Sequence, residues 1–206
     1  MKESIKYMAQ LYYRYGVLNS AKSANLIMAV HNYDKKNRRV IVLKPKIDTR
    51  SKPNIVESRV GISHSCIDFD KNENLFELVN TLNSKDIIHA VFVEEVQFIT
   101  KEQAKQLHKI VHKLNIPTLG YGLKNTYIDG ELFEGSKAML FYADKIEEIK
   151  DVCEYCDKKA TQNLRVVNGQ PVYSGETIQI GNVNSDLEEY YVPVCGHHYY
   201  HPELKK

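Results

Sequence analysis

No apolar run in this sequence approaches the ~20 residues that cross a bilayer as a helix, so a helical membrane protein is not expected. The first residues, "MKESIKYMAQLYY", lack the long apolar stretch and small-residue cleavage site of a secretory signal, and the expected location is the cytoplasm. Charge bias is also missing. The formal net charge of +2 carries none of the basic excess of a dedicated nucleic-acid binder. Cysteine is scarce at four residues, too few for a disulfide scaffold and better suited to metal binding inside a cell. Internal repeats and low-complexity tracts are absent. What remains is a globular composition, 43% hydrophobic and 26% charged over 206 residues, enough for one domain and a small appendage.

Glycine is missing where a motif would want it. "YGVLNSAKSANL" matches Gly-x-x-x-x-Gly-Lys-Ser from Gly16 to Ser23, through Val17, Leu18, Asn19 and Ser20, except that Ala21 holds the second glycine position. The stretch reads either as a phosphate-binding loop or as an ordinary strand–helix turn. Its setting favours the loop, because "AQLYYRY" before it reads as a strand. "SANLIMAVHNYDKKNR" after it reads as a helix with Leu26, Val30 and Tyr33 on one face. In a working loop, Lys22 reaches phosphates and Ser23 holds Mg²⁺.

Further strands are expected at "RRVIVLKP", "IIHAVFVEE" and "IPTLGYGL", and helices at "NLFELVNTLN" and "TKEQAKQLHKIVHKLN". In the last helix Thr100 caps the start, and Leu107, Ile110, Val111 and Leu114 form the apolar face. The polar segment from Lys46 to Ser65 is expected to be an irregular loop. Strands alternating with helices imply an α/β fold with a parallel sheet. Near residue 150 the pattern changes to short β-like runs without helical period. Domains of 1–150 and 151–206 are therefore expected.

Two carboxylates, Glu94 and Glu95, close the strand "VFVEE". Alone they read as solvated acids. One strand–helix unit after a phosphate loop, they gain a role in holding Mg²⁺ and accepting a proton. "CEYC" and "CGHH" supply Cys153, Cys156, Cys195 and His198, a Cys₃His donor set for structural zinc. His198 is preferred to His197 because Cys-x-x-His repeats the spacing of the first pair. Residues 157 to 194 separate the halves, more than the ~15–20 of a compact ribbon. His108 and His112 have helical i, i+4 spacing without the adjacent glutamate of a metalloprotease motif, and read as solvated helix surface. Cys66 has no partner motif.

Taken together, "MAQLYYRYGVLNSAKS", "KPKIDTRS", "SRVGIS", "VEEVQF", "IPTLGYGL", "GELFEGS", "YADKIEEIKDVCEYC", "KAT", "IQIGN" and "YYVPVC" resemble, in order and spacing, the type II thymidine kinase family. These are bacterial thymidine kinases related to the cytosolic vertebrate enzyme. The resemblance begins near Met8 and covers almost the whole chain. It implies a RecA-like P-loop domain, a small zinc-ribbon domain with a lasso loop, and a homotetramer. It implies ATP with Mg²⁺ on Gly16 to Ser23, Asp48, Arg50, Glu94 and Gln97, and Glu95 as the catalytic base. It further implies a pocket for thymidine or deoxyuridine lined by Leu18, Phe98, Tyr127, Phe133, Tyr191 and the lasso residues Thr177, Ile178, Gln179, Ile180 and Gly181. Neither nucleic acid nor membrane is an implied partner. The chain departs from the family pattern at Ala21, at Glu94 (where aspartate is usual), in one extra residue within "NTYIDGELF", and in a longer stretch from Gly181 to Tyr191. Those departures define the alternative: an impaired or non-catalytic nucleotide-binding protein descended from the kinases.

Overall fold

The computed structural model describes residues 8–175 and 188–203. Strand β1 (Leu11–Gly16) runs through the expected loop into α1 (Lys22–Asp34), and β2 (Val40–Pro45) follows. Later come β3 (Ile55–Glu57), β4 (Ser63–Ser65), β5 (Ile67–Phe69), α2 (Leu75–Lys85), β6 (Ala90–Val93), α3 (Lys101–Leu114) and β7 (Thr118–Leu123). The chain continues through α4 (Glu134–Tyr142), β8 (Lys145–Glu148), β9 (Gln162–Val167), β10 (Gln170–Val172), β11 (Glu189–Val194) and α5 (Gly196–Tyr200).

The main sheet has the order β5-β2-β6-β7-β1-β8, and every pairing in it is parallel. The expected α/β architecture is therefore present. Strand alternation sends side chains to opposite faces. Leu11, Tyr13, Ile41, Leu43, Val91 and Val93 pack against α2, α3 and α4 on one side. Val42, Ala90, Phe92, Leu119 and Tyr121 pack against Leu26, Ile27 and Val30 of α1 on the other. Helix α3 begins as its sequence dictates: Thr100 Oγ1 accepts from the Gln103 backbone N–H while Gln103 Oε1 accepts from Thr100 N–H, a reciprocal capping box.

The segment from Lys46 to Ser65 corrects the expectation of an irregular loop. Within it β3 and β4 pair as an antiparallel hairpin, turning at Gly61 with φ +81°. Strand β5, just beyond, joins the main sheet edge. Three-residue strands are too short to show a period of two. Helix α4 and strand β8 are further elements without a sequence expectation. The buried face of α4 is largely small, with Gly135, Ser136 and Ala138 beside Met139, so it shows no apolar stripe. Strand β8 is the polar edge strand "KIEE".

Beyond residue 150 an antiparallel sheet forms in the order β10-β9-β11. Its own apolar cluster contains Leu164, Val166, Val194 and Tyr199 together with Cys153 and Cys195.

Candidate active site

The C-terminal ends of β1 and β6 lie on either side of β7, where parallel α/β sheets gather ligands. Gly16 is sterically required at the first position: a Cβ there would lie 2.2 Å from Ser20 Oγ and 2.6 Å from the Ile149 carbonyl oxygen. Ala21 sits at φ 56°, ψ 30°, the left-handed conformation that glycine adopts without penalty. The loop therefore keeps the backbone of the motif with alanine in place, at a cost of about 1–2 kcal/mol. Its carbonyl accepts the Asn25 N–H at 2.9 Å, so α1 starts normally.

Lys22 is buried, and its Nζ donates to the Val17 carbonyl at 2.6 Å. Burial lowers its pKa, against the opposing pull of Glu95 and Glu94. Ser23 Oγ donates to Glu94 Oε1 at 2.5 Å. Among the described residues, Glu94 Oε2 is the buried side-chain polar atom without a hydrogen-bond partner. Burial, then the neighbouring Glu95 charge, push the Glu94 carboxyl up to about 8, although Ser23, Lys22 and Arg50 pull the other way. A buried carboxylate with an orphaned oxygen beside a serine hydroxyl is an oxygen donor set that fits a hard divalent cation such as Mg²⁺.

Glu95 follows with φ 49°, a left-handed residue that turns the chain from β6 into a single 3₁₀ turn at Val96–Phe98. Its carboxylate receives hydrogen bonds from two sides. Gln97 Nε2 donates to Oε2, and Arg50 pairs with Oε1. Arg50 Nε also donates to Asp48 Oδ1 at 2.7 Å. Burial works against the Arg50 charge, but Glu95 and Asp48 more than offset it and raise its pKa. The 3₁₀ turn lies close to the sheet because Gly122 lacks a side chain; a Cβ there would lie 2.5 Å from Gln97 Oε1.

These groups face two adjoining clefts. One, of about 490 Å³, is lined by Ser23, Lys44, Asp48, Arg50, Glu94 and Glu95 among others. The smaller, of about 120 Å³, is bounded by the loop from Leu18 to Ala24 with Arg50, Ser58, Arg59, Val60, Glu95 and Leu123. The structure thus brings together Leu18 to Ser23, Asp48, Arg50, Glu94 and Glu95. Gln97 stands behind Glu95, buried. The aromatic candidates form two contacts elsewhere: Phe98 with Phe133 at 5.9 Å between centroids, and Tyr127 with Tyr191 at 5.9 Å. Neither pair lines the two clefts. Thr177, Ile178, Gln179, Ile180 and Gly181 lie outside the described residues.

Several residues at or near the site had no chemical role legible in the sequence, although Ser58, Arg59 and Val60 fall within the family-like segment "SRVGIS". Ser58, Arg59 and Val60 reach the clefts from the β3–β4 hairpin. Asn163 Oδ1 accepts the Leu18 N–H at 2.9 Å and so ties the loop to β9. Arg165 lies over the Tyr127 ring at 5.0 Å and pairs with Glu189 at 3.0 Å. The signal for Lys44 is its place as a lone cation in the apolar run "VIVLKP". Lys44 is buried beside Asp68 and donates to the Ser51 hydroxyl and to the Lys52 and Ile55 carbonyls, which shapes the cleft wall.

A separate cluster joins Cys153, Cys156, Cys195 and His198, whose donor atoms lie within 4.8 Å of one another. Cys156 and Cys195 sulfurs are 3.8 Å apart, and His198 Nδ1 lies 3.3 Å from Cys153 Sγ and 3.5 Å from Cys195 Sγ. Tetrahedral bonds of ~2.3 Å to sulfur and ~2.0 Å to nitrogen give edges of about 3.8 and 3.5 Å. The four donors are therefore spaced for one metal ion. Backbone N–H groups, first that of His198, draw the Cys195 thiol down to about 6, toward the metal-ligating thiolate.

A parallel α/β sheet with a strand–loop–helix anion cradle facing a buried carboxylate pair defines a P-loop-like protein. The thymidine kinase family model matches residues 9–199. Over 197 residues the chain is 42% identical to thymidine kinases of Streptococcus pyogenes serotype M3 and of Lactococcus lactis subsp. lactis, covering 96% of this chain and 100% of each relative. It is 40% identical over 203 residues to thymidine kinase of Lactobacillus acidophilus, covering 96% and 99%. The chain belongs to the thymidine kinase family. Among the described residues no helix is long and apolar enough to cross a membrane.

Proposed function

We propose that this enzyme transfers the γ-phosphoryl group of ATP to the 5′-hydroxyl of thymidine, giving thymidine monophosphate and ADP, in the cytoplasm and as a homotetramer. The observation that carries the reading is the buried Glu94 oxygen without a partner, facing Ser23 of the loop and adjoining Glu95. Glu95 accepts the proton of the attacking hydroxyl. Gln97 and Arg50 hold its two oxygens in place beforehand. Loop amides from Val17 to Ser23 and the Lys22 ammonium receive the phosphates; Lys22 exchanges its contact with the Val17 carbonyl for phosphate oxygen. Asp48 orients Arg50 beside the transferring group. Ser23 and Glu94 would hold Mg²⁺, which supplies charge neutralisation on the phosphates when bound.

Thymidine is received by Leu18, Phe98, Phe133, Tyr127 and Tyr191, with the segment Thr177 to Gly181 reading the base edge. The Cys₃His cluster holds structural zinc, within a C-terminal unit of residues 151–206 distinct from the kinase unit of residues 1–150. A closed four-ligand set leaves no position for catalysis.

A coupled assay of ADP release over a panel of nucleosides tests the reading. Thymidine-dependent turnover is expected, with deoxyuridine as the competing substrate. ATP binding without transfer to any nucleoside would instead establish the non-catalytic alternative.

A further inference from the structure

The i, i+4 histidines of α3 acquire a third donor through the fold. His108 and His112 rings lie 4.2 Å apart on one face of α3. Asp144, between α4 and β8, approaches them, and one donor atom from each of the three lies within 4.8 Å of the others. His112 Nε2 is 3.6 Å from Asp144 Oδ1. That is too long for an N–H···O hydrogen bond. It is close to the edge of about 3.4 Å that tetrahedral bonds of ~2.1 Å to nitrogen and oxygen produce.

Asp144 is held in place. Its Oδ2 accepts the Leu11 N–H at 2.7 Å, and its own N–H donates to the Leu11 carbonyl at 2.9 Å. Oδ1 is left pointing toward the helix. A carboxylate locked by the sheet backbone is pre-organised in the way that outer hydrogen bonds orient metal ligands. The histidines are partly exposed, so their rings can close by the fraction of an ångström that coordination requires.

From this geometry we propose that His108, His112 and Asp144 form a second metal site, for a divalent transition ion of the zinc class. Two imidazoles and one carboxylate suit Zn²⁺, Co²⁺ or Ni²⁺, with water completing the shell. The ion ties α3 to the α4–β8 connection and to the first residue of β1. Strand β1 runs six residues from Leu11 to Gly16. At ~3.3 Å per residue this places Leu11 about 17 Å from the phosphate loop. The role is consequently structural, bracing the end of the sheet away from the nucleotide.

The test is equilibrium dialysis of the full chain, its Cys₃His site already zinc-loaded, against Zn²⁺ and separately against Co²⁺. One further equivalent of metal per chain is expected. Co²⁺ bound there shows d–d absorption without a thiolate charge-transfer band. His108→Gln and His112→Gln should each weaken the second equivalent by at least the roughly tenfold that loss of an outer-shell partner costs. Thymidine phosphorylation and the first metal equivalent should stay unchanged. His197 and His201 of the C-terminal segment also approach, at 5.2 Å between centroids, so the double variant His197→Gln, His201→Gln is the control. Retention of the second equivalent in that control supports the proposal. A parent that saturates at the Cys₃His site alone overturns it. So does a second equivalent that survives His108→Gln or vanishes in the control.

Discussion

Gln97 bridges Glu95 and the end of β7: its Nε2 donates to Glu95 Oε2, and its Oε1 accepts the Leu123 N–H at 3.0 Å. One side chain therefore aims the carboxylate and satisfies a buried backbone donor. Gln97→Ala should destabilise the protein by about 1–3 kcal/mol, the range for a buried donor left unpaired, and also slow turnover. Gln97→Glu keeps the acceptor for Leu123 and sets a second negative charge against Glu95. It should turn over more slowly than Gln97→Ala, and the like charge buried beside Glu95 should destabilise it at least as much. The opposite order of rates would remove Gln97 from the positioning of Glu95.

The two carboxylates separate by role. Glu95→Gln should retain nucleoside and ATP binding while lowering kcat by roughly 10²–10⁴-fold, the usual worth of positioned proton transfer. Glu94→Gln should weaken metal-dependent nucleotide binding, with partial recovery at higher Mg²⁺. Titrating both variants with Mg²⁺ in the same assay distinguishes them; equal kcat in Glu95→Gln and the parent excludes Glu95 as the base.

Ala21→Gly relieves a left-handed alanine but adds freedom to the unfolded chain. The first effect is about 1–2 kcal/mol and the second about 0.4–1 kcal/mol. A stabilisation of about 0–1.5 kcal/mol is expected from urea denaturation, with ATP affinity changed by less than about tenfold. ATP binding confined to the glycine variant would mark the native loop as degraded.

Cys66 should be inert. Burial first, and then the hydrogen bond to Asp68, push its thiol from near 9 up to about 12. At pH 8 its alkylation in the folded protein should run roughly a hundredfold or more slower than in urea, because only the thiolate reacts. The raised pKa also fixes a sign. Between about pH 9 and 12 the unfolded chain gives up this proton and the folded chain keeps it, so stability falls as pH rises. That contribution to the slope should be absent in Cys66→Ala.

Metal analysis of the purified protein should find zinc on the Cys₃His cluster, and Cys153→Ser should release it and destabilise the β9–β11 unit. Hydrogen exchange across residues 151–175 and 188–203 would report the loss. A metal-free preparation with full protection there would refute the structural role.

The sequence by itself determined the features that are local. A strand, a Gly-to-Ser loop and a helix follow one another along the chain. Glu94 and Glu95 terminate an apolar run, and Cys153 with Cys156 and Cys195 with His198 are each close pairs. Periodicity and short spacing encode such features, so the parallel α/β class and the metal knuckles are legible in the sequence. Only the tertiary structure decided that Ala21 adopts the left-handed backbone, because the letter alone permits either conformation. Only the tertiary structure brought Arg50 to Glu95, Asn163 to Leu18, and Asp144 to His112. Their partners lie 32 to 145 residues away along the chain, and no local pattern records such a distance. Helix α4 is not legible in the sequence for a related reason. Gly135 packs where a Cβ would lie 2.2 Å from the Val96 carbonyl oxygen, so close backbone approach takes the place of an apolar stripe and leaves no periodic signal.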